Sequence, residues 1–335
     1  MKVAAFTGGR DVPSARFRVR QYIKPLADLG IAITEMPTST SVYPPAARWQ
    51  RPGWAATRLA EVGWQAIRSH GFDRVLLQRE MLSSLATLEG LTKRPRLLDV
   101  DDAIHLLRGG RFARRIAGAC DRVICGNAWL ADVYSGWARD VVILPTGVDA
   151  DRYHPIEKTQ ADRLVIGWIG TAANFPYLES LEPALKIVLA RYDHVDLRIV
   201  SNARPSFPTI DSSRWSFVQW SEPREVSEIQ ATDIGLMPLA DTDWARGKCS
   251  FKMLQYMACG KPVIVSPIGM NADILAMDTL GIGARGIDEW VDALDLLVAS
   301  HAERSRLGRA GRTVIERTFS LTMLVPKLAH HLRDV

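Results

Sequence analysis

Two runs of alternating strand-like and helix-like segments decide the class of fold that this chain can adopt. In the first half, short apolar strand patterns at residues 2–7, 72–78 and 96–100 are separated by segments with helical periodicity. In the second half, the same alternation begins again at residues 164–169 and continues to the apolar run at residues 263–265. Strands that alternate with helices form parallel sheets with right-handed crossovers. The sequence therefore predicts an α/β protein.

The length of the chain and one polar stretch predict how these segments divide into domains. A chain of 335 residues is long for one hydrophobic core and suits two domains of ~150 residues each. The polar residues 151–163 separate the two runs, which is typical of a linker. We therefore expect one domain at residues 1–150, a second at residues 164–318 and a final helical segment at residues 319–335.

Composition narrows the range of functions. No stretch of ~18 apolar residues could span a bilayer, and the apolar run at the N-terminus is too short for a signal peptide. The four cysteines have neither zinc-site nor disulfide-framework spacing, so we expect a cytoplasmic protein without a bound metal. A net charge of +5 suits phosphate-rich ligands, anionic membranes or nucleic acid. No nucleic-acid-binding motif accompanies it, and a nucleic-acid partner is not expected.

One loop–helix–strand unit at residues 247–266 carries the strongest indication of a ligand. Its middle has helical periodicity beginning at Phe251, and Ser250 is placed to cap the helix. Lys248 and Lys252 flank the helix N-terminus, where each positive charge opposes the helix dipole by ~0.3–1 kcal/mol. The placement becomes favourable if a phosphate binds there to free backbone N–H groups and both ammonium groups. The alternative is a core helix with two solvated lysines.

Glycines and arginines follow the first predicted strand. Gly8 and Gly9 come directly after it, where glycine lets the backbone approach a ligand closely. Arg16 and Arg18 lie near the start of the next predicted helix. They form either a solvated basic turn or contacts to a phosphate or an acidic acceptor group.

Carboxylates end the predicted strand at residues 96–100. Asp99, Asp101 and Asp102 lie at its carboxyl end, and His105 follows within a turn. Open α/β sheets bind ligands at the carboxyl ends of their strands. These side chains are therefore candidates for a site, with capping of the next turn as the alternative.

Tryptophan and arginine alternate in residues 38–71, where Trp49, Trp54 and Trp64 occur among four arginines. This composition is typical of a helix that lies on a membrane interface. It is also typical of a protein-packed helix whose arginines extend along its surface. Peripheral membrane contact is therefore one of two interpretations.

The segment GKCSFKMLQYMACGKPVIVS, with the upstream DIGLMPLADTDW and the following PIGMNADIL, resembles the nucleotide-sugar site of GT-B glycosyltransferases of the retaining family-4 group. Members usually carry Glu-x7-Glu here, and Gly247 and Gln255 occupy those two positions in this variant. The resemblance implies two Rossmann-like domains facing a cleft, with the C-terminal helix crossing back to the first. In the family the second Glu binds the ribose hydroxyls, a role that Gln255 could fill, whereas Gly247 has no side chain to contact the donor sugar.

The resemblance also implies an activity, namely metal-independent transfer of a sugar, with retention, from a nucleotide diphosphate-sugar to an acceptor hydroxyl. The acceptor would be a glycan or a lipid-linked intermediate of cell envelope polysaccharide biosynthesis, and no cofactor is expected. The implied donor-binding residues are Gly170, Thr171, Lys248, Cys249, Ser250, Phe251, Lys252 and Gln255. The implied catalytic residues are Asp101, Asp102 and His105, with Gly8, Gly9, Arg16 and Arg18 on the acceptor side.

Two departures from the family pattern shape this expectation. Thr171 and Pro176 occupy the positions where typical members carry an arginine and a lysine on the diphosphate, so we expect Lys248 and Lys252 to replace them. Asp101 lies near the position of a family histidine. A carboxylate there could stabilise an oxocarbenium-like transition state or accept the acceptor proton.

Three alternatives remain open. Asp99 and Asp101 form a D-x-D pattern, which in a metal-dependent glycosyltransferase holds a divalent cation. A sugar-nucleotide epimerase or hydrolase could use the same fold, because fold alone does not fix the reaction. A non-catalytic sugar-nucleotide-binding protein would explain the missing glutamate at Gly247.

Overall fold

The computed structural model describes residues 1–9, 12–42, 44–157 and 163–335. Within these ranges the chain forms two compact units, each built on a six-stranded parallel sheet with helices between the strands. The prediction of an α/β chain with two Rossmann-like sheets is thereby confirmed. The end of the predicted linker, residues 158–162, lies outside the described residues.

The first unit contains Met1–Gly147, Arg246–Cys249 and Leu321–Val335. Its strands are β1 (Lys2–Phe6), β2 (Ala32–Met36), β3 (Arg74–Gln78), β4 (Arg96–Val100), β5 (Arg122–Cys125) and β6 (Val141–Ile143). They lie side by side in the order β2-β1-β3-β4-β5-β6. The order reverses between β1 and β3, and open α/β sheets bind ligands at the carboxyl side of such a reversal.

The second unit contains Val148–Ala245 and Ser250–Ser320. Its strands are β7 (Leu164–Ile169), β8 (Val195–Ser201), β9 (Trp215–Gln219), β10 (Ile234–Met237), β11 (Val263–Val265) and β12 (Ile282–Gly283). Their order is β12-β11-β10-β7-β8-β9, so this sheet reverses between β7 and β10.

Helices connect the strands in both units. In chain order they are α1 (Pro13–Ala15), α2 (Gln21–Asp28), α3 (Arg51–Arg68), α4 (Arg111–Ala119), α5 (Ala128–Ser135), α6 (Phe175–Glu179), α7 (Glu182–Arg191), α8 (Glu225–Gln230), α9 (Asp243–Arg246), α10 (Phe251–Ala258), α11 (Met270–Leu275), α12 (Ile287–Ala299), α13 (His301–Val314) and α14 (Leu321–Arg333). Short π-helical turns at Arg16–Arg20 and Ile315–Phe319 continue α1 and α13. Over the part of the chain that the structure covers, no helix is both long and apolar enough to cross a bilayer.

The C-terminal helix α14 is part of the core of the first unit. Leu324, Leu328 and Leu332 recur every four residues, lie on one side of the helix and are buried. Burying each such side chain contributes roughly 1.5–3 kcal/mol relative to leaving it exposed. The sheet residues in the same core include Val3, Leu76, Leu97 and Ile124. The chain therefore returns to its first unit after completing the second.

Apolar side chains from the sheet and from α7 and α12 form the core of the second unit. The helices contribute residues such as Leu185, Leu294 and Trp290, and the strands contribute Ile166 and Leu197, all of them buried. This core fixes the carboxyl ends of β7 and β10, next to which the predicted donor residues lie.

Candidate functional site

Arg79 connects the carboxyl end of β3 to the two carboxylates that follow β4. Its Nε donates to Asp101 Oδ1 over 2.6 Å, and its Nη2 donates to Asp102. The backbone of Arg79 has a φ of 64°, in the left-handed region that favours glycine. Such conformations persist where surrounding contacts hold them, and they cluster at functional sites. One arginine in a strained backbone conformation thus binds the side chains of both predicted catalytic residues, Asp101 and Asp102.

Asp102 has the electrostatic surroundings of a proton-transfer group. Burial raises the pKa of Asp102 above its ordinary value, and the charge of Asp101 adds to the rise, whereas Arg79 and Lys248 act to lower it. A carboxyl group with a raised pKa takes up a proton more readily at physiological pH. The surroundings of Asp102 are therefore compatible with the role of a general base.

Arg18 is buried in an ion pair with Asp99 rather than placed on the surface. Its Nε lies 2.9 Å from Asp99 Oδ1 and its Nη2 lies 2.6 Å from Asp99 Oδ2, while Nη1 donates to the carbonyl oxygen of Leu144. Although burial alone would lower it, the pKa of Arg18 is raised by the charge of Asp99, so the guanidinium stays charged. Each nitrogen of the Arg18 guanidinium thus has a partner inside the first unit, and its contact with an acceptor remains a prediction.

Both aspartates of the D-x-D pattern form ion pairs with arginines. Asp99 is paired with Arg18 and Asp101 with Arg79. In the described portions of the chain, no group of three or more His, Cys, Asp or Glu side chains is arranged to hold a metal ion. Both carboxylates of the pattern are therefore already balanced by an arginine.

His105 lies in an aromatic cluster. Its ring centre is 5.3 Å from that of Trp129, 5.9 Å from Tyr134 and 5.8 Å from Trp137, and the residue is buried. His105 therefore packs against three aromatic rings. These contacts give His105 a packing role, and its predicted catalytic role remains a prediction.

Gly8, Gly9 and Arg16 lie near the carboxyl end of β1, as predicted. Gly9 has a φ of 112°, which favours glycine, and its carbonyl oxygen accepts from Arg20 Nη2 over 2.7 Å. A Cβ at Gly8 would come within 3.0 Å of the Val12 side chain. The half-buried Arg16 lies over the ring of Phe17, 4.1 Å from its centre. Gly8 and Gly9 therefore lie at the carboxyl edge of the sheet, beside the point where its order reverses, and Arg16 begins the π-helical turn after α1.

The segment Arg246–Cys249 packs in the first unit, although its neighbours in sequence belong to the second. A Cβ at Gly247 would lie 2.6 Å from Ala103 Cβ, so only glycine permits this approach. Asn127 Nδ2 donates to the carbonyl oxygens of Arg246 and Lys248, and Cys249 Sγ lies 3.1 Å from the carbonyl oxygen of Asp101. Two predicted donor residues, Lys248 and Cys249, thus lie beside the carboxylates that follow β4.

Ser250, Phe251 and Lys252 form the N-terminal turn of α10 in the second unit. Ser250 has a φ of 50°, and its side chain makes no capping hydrogen bond, so the predicted serine cap is wrong. Lys252 Nζ lies 2.9 Å from Gln255 Oε1 and 5.8 Å from the ring centre of Phe251. The structure therefore places Lys252 at this helix start and Lys248 in the first unit.

Gln255 is the centre of a buried polar network. It has no exposed surface, and its Nε2 donates to Tyr153 Oη and to Glu225 Oε1, each over 2.9 Å. Its Oε1 accepts from Lys252, and Glu225 Oε2 accepts from Trp220 Nε1 over 2.8 Å. Both ends of the Gln255 amide therefore have partners within the unit, and the ribose contact expected of Gln255 remains a prediction.

Gly170 and Thr171 follow β7, next to the reversal of the second sheet. A Cβ at Gly170 would lie 2.5 Å from the ring of Trp168, so glycine is required by packing. Thr171 is exposed, and its Oγ1 accepts from Asn174 Nδ2 over 3.0 Å.

At the nearby end of β11, Ser266 Oγ accepts from the backbone N–H of Leu239. The loops after β10 and β11 are thereby joined, which the sequence reasoning had missed.

The first unit also contains a small cavity that the sequence analysis did not predict. It lies at the carboxyl ends of β1 and β3, and a buried face of α3 completes its wall. Three of its lining residues, Gln65, Gln78 and Glu80, are buried polar side chains. The reversal between β1 and β3 is the signal that could have located it, once β2 had been recognised.

Known proteins share this fold and part of this sequence. Residues 163–300 match a family model described as glycosyl transferases group 1. The chain is 28% identical over 205 residues to a D-inositol 3-phosphate glycosyltransferase of Stackebrandtia nassauensis. That match covers 53% of this chain and 45% of the relative, so the chain spans about half the length of the curated protein it matches.

Solved structures match over almost the whole chain. A sucrose-phosphate synthase from Thermosynechococcus elongatus superimposes with a TM-score of 0.73 at 14% identity, covering 99% of this chain and 98% of that one. Anabaena Alr3699/HepE in complex with UDP and glucose gives a TM-score of 0.74 at 14% identity, with both chains fully covered. WaaG, a glycosyltransferase involved in lipopolysaccharide biosynthesis, gives 0.70 at 14% identity, covering 99% of this chain and 100% of that one.

The chain has the GT-B fold. The family match supports a glycosyltransferase, and within this GT-B chain the matched residues 163–300 fall in the second unit, apart from Arg246–Cys249. They include α10 and the Gln255 network. Apart from Arg246–Cys249, the first unit lies outside the family match.

Proposed function

We propose that the protein transfers a sugar from a nucleotide diphosphate-sugar to an acceptor hydroxyl, with retention and without a metal ion. The observation that carries the proposal is the family match of the second unit, combined with the GT-B fold of the chain. Structures of Anabaena Alr3699/HepE hold UDP or UDP-glucose, which supports a nucleotide-sugar as the donor here.

The donor would bind to the second unit near the reversal of its sheet. Gly170 and Thr171 follow β7 there, and the start of α10 offers Ser250, Phe251 and Lys252. The leaving nucleotide diphosphate gains negative charge as the glycosidic bond breaks. Lys252 would stabilise that charge, because its bond to Gln255 Oε1 already orients the ammonium group. Gln255 would contribute by positioning Lys252.

The acid–base chemistry would fall to the carboxylates after β4. Asp102 would accept the proton of the acceptor hydroxyl, because burial raises its pKa. Asp101, held by Arg79, would place a negative charge near the oxocarbenium-like transition state. Lys248 and Cys249 would hold this region in shape, since they pack beside the same two residues.

Peripheral membrane contact would place the enzyme near a lipid-linked acceptor of cell envelope polysaccharide synthesis. Helix α3 buries Arg58 and Gln65 on its inner side, while Trp64 and Ile67 on its outer side are 62% and 67% exposed. Trp49, just before the helix, is 80% exposed. An apolar outer face flanked by exposed arginines suits an anionic membrane surface. The nearby exposed arginines are Arg48, Arg51 and Arg68.

A thermal-shift panel of UDP, GDP, ADP and CMP, each with manganese and with EDTA, tests the donor. A ligand at 100 times its dissociation constant adds roughly 2.7 kcal/mol to the folded state. We expect one diphosphate to stabilise the protein equally in EDTA. Stabilisation that needs manganese would favour the metal-dependent alternative, and binding of none of the four would contradict the proposal.

Product analysis separates the remaining alternatives. With the stabilising nucleotide's glucose conjugate as donor, we expect transfer to depend on an added acceptor. A changed or hydrolysed donor without an acceptor would indicate an epimerase or hydrolase. Binding without any product would indicate a non-catalytic sugar-nucleotide-binding protein.

A further inference from the structure

We propose that Arg79 is a positioning residue of the acid–base site and acts through Asp101 and Asp102. The inference rests on the proposed glycosyl transfer and adds the residue that fixes the geometry of its two carboxylates. Arg79 follows β3, and the two aspartates follow β4, the neighbouring strand of the first sheet. All three residues belong to the first unit, so one unit holds the whole arrangement.

The backbone of Arg79 adopts a conformation that arginine disfavours. In the left-handed region the Cβ of an L-residue comes too close to the following carbonyl oxygen, whereas glycine has no Cβ and avoids the contact. Arg79 has a φ of 64° in this region, and its backbone N–H donates to the carbonyl oxygen of Asp99 over 3.0 Å. Glycine would suit the turn alone better, so the arginine side chain has a role of its own.

The guanidinium of Arg79 spans both carboxylates with different nitrogens. Its Nε donates to Asp101 Oδ1 over 2.6 Å, and its Nη2 donates to Asp102. The donors of a guanidinium lie in one plane and point in fixed directions, so two such bonds set the separation and orientation of the carboxylates. A lysine has a single charged nitrogen on a flexible chain and could not impose the same geometry.

Without Arg79 the two aspartates would be neighbouring negative charges in a partly buried site. Like charges that share a site raise the pKa of one of the carboxyl groups. Burial already raises the pKa of Asp102 and the charge of Asp101 adds to the rise, while the charge of Arg79 opposes both effects. Arg79 therefore favours the ionised form of Asp102, which is the form that can accept a proton from an acceptor hydroxyl.

Other ionisable groups surround the two aspartates, and Arg79 differs from them in its bonds. These groups are Lys248, Cys249 and the ion pair of Asp99 with Arg18. Burial raises the pKa of the Cys249 thiol, which therefore stays neutral. Lys248 acts on the pKa of Asp102 in the same direction as Arg79. Among the residues that the structure describes, Arg79 is the one whose side chain bonds to both carboxylates.

Carboxyl ¹³C NMR titration of Asp102 tests the inference without any substrate. The signal of Asp102 is the one that Asp102→Asn removes. A nearby positive charge lowers the pKa of a carboxyl group by about 1–3 pH units, so we expect Arg79→Gln to raise the titration midpoint of Asp102 by at least one pH unit. Arg122→Gln is the matched control, because Arg122 also pairs with two aspartates of the first unit, Asp140 and Asp334. It should leave the midpoint of Asp102 unchanged.

Arg79→Gly separates positioning from a merely structural role, because glycine suits the backbone at this position. With the nucleotide-sugar that the thermal-shift panel identifies as donor, we expect kcat to fall at least tenfold, since a misplacement of about 1 Å can cost ~100-fold. The KM for the donor should stay within about twofold, because the proposed donor site lies in the second unit. Arg79→Lys keeps the charge without the planar fork and should not restore kcat to the wild-type value.

The outcomes distinguish this inference from the proposed function. An unchanged midpoint of Asp102 in Arg79→Gln, an equal shift in Arg122→Gln, wild-type kcat in Arg79→Gly or full kcat in Arg79→Lys would each overturn the role of Arg79. Stabilisation by the donor nucleotide should persist in all of these variants, which shows that they are folded. Absence of transfer by the wild-type protein would instead contradict the proposed function, and the titration of Asp102 would still decide whether Arg79 controls the two carboxylates.

Discussion

Gln255 Nε2 lies 2.9 Å from Glu225 Oε1, and both side chains are buried. The amide also donates to Tyr153 and accepts from Lys252, so each of its hydrogen-bonding ends has a partner. A glutamate at position 255, as the resembled family usually carries, would face the carboxylate of Glu225 without a proton between them. A glutamine at position 255 therefore suits the carboxylate of Glu225, because its amide can donate a hydrogen bond to it.

Replacing Gln255 by glutamate should destabilise the second unit. Two carboxylates within hydrogen-bond distance in a buried site repel each other, and one of them loses its donor. We expect Gln255→Glu to lower the free energy of unfolding by about 1–3 kcal/mol at pH 7, measured by urea denaturation. The loss should shrink at pH 5, where one carboxyl can take up a proton.

The double variant provides the control. Gln255→Glu combined with Glu225→Gln restores one amide and one carboxylate, so the free energy of unfolding should recover most of the loss. Unchanged stability in the single variant, or no recovery in the double variant, would show that the two side chains are not coupled.

Lys252 should contribute to nucleotide affinity. Its ammonium group lies at the N-terminal turn of α10 and is oriented by Gln255. A hydrogen bond to a charged group contributes about 1.5–3 kcal/mol, so Lys252→Met should weaken binding of the stabilising diphosphate at least tenfold in a calorimetric titration. Lys186→Met, at an exposed lysine of α7 in the same unit, should leave the affinity unchanged. Equal affinities for both variants would remove Lys252 from the donor site.

The outer face of α3 should determine membrane binding. Trp64→Gln combined with Ile67→Gln removes two exposed apolar side chains, each contributing roughly 1.5–3 kcal/mol when fully buried in lipid. We expect at least tenfold weaker sedimentation with phosphatidylglycerol vesicles. Binding by the wild-type protein should also fall with added salt, because the flanking arginines attract the anionic surface.

The matched control removes exposed apolar side chains from helices of the second unit. Ile187 and Leu296 of the second unit are 42% and 50% exposed, and substituting both by glutamine removes similar apolar surface from other helices. This variant should sediment with vesicles like the wild-type protein. If both double variants bind vesicles equally, or if the wild-type protein dimerises through α3 in solution without binding them, the membrane assignment fails.

The strands that could be predicted are those with strong apolar runs. Patterns at residues 164–169 and 263–265 coincide with β7 and β11. The edge strands β2 and β12 were missed for different reasons. In β2 the run AITEM contains Thr34 and Glu35, which weakens the apolar pattern, and β12 has only two residues. A strand is missed when its apolar run is interrupted by polar residues or is very short.

The candidate site was less accessible to sequence reasoning, because its partners are distant along the chain. Gln255 meets Tyr153 and Glu225 across 102 and 30 residues, and Arg18 meets Asp99 across 81. Nothing local in the sequence distinguishes a buried arginine from a ligand-binding one. Only the folded structure shows which charged side chains are already neutralised by an ion pair.

The last prediction concerns pH and the C-terminal helix α14. Burial lowers the pKa of His331 below 6.5, and the nearby positive charge of Arg122 acts in the same direction. At a pH between the folded and unfolded values, the unfolded chain binds more protons, so stability rises with pH through that range. We expect the free energy of unfolding to increase as the pH is raised towards 6.5, with no further contribution from this group above it.

His331→Gln should flatten this slope in urea denaturation between pH 5.5 and 7.5, whereas His301→Gln at the exposed start of α13 should leave it unchanged. An identical slope in wild type and His331→Gln would show that another group controls the acid sensitivity of the first unit.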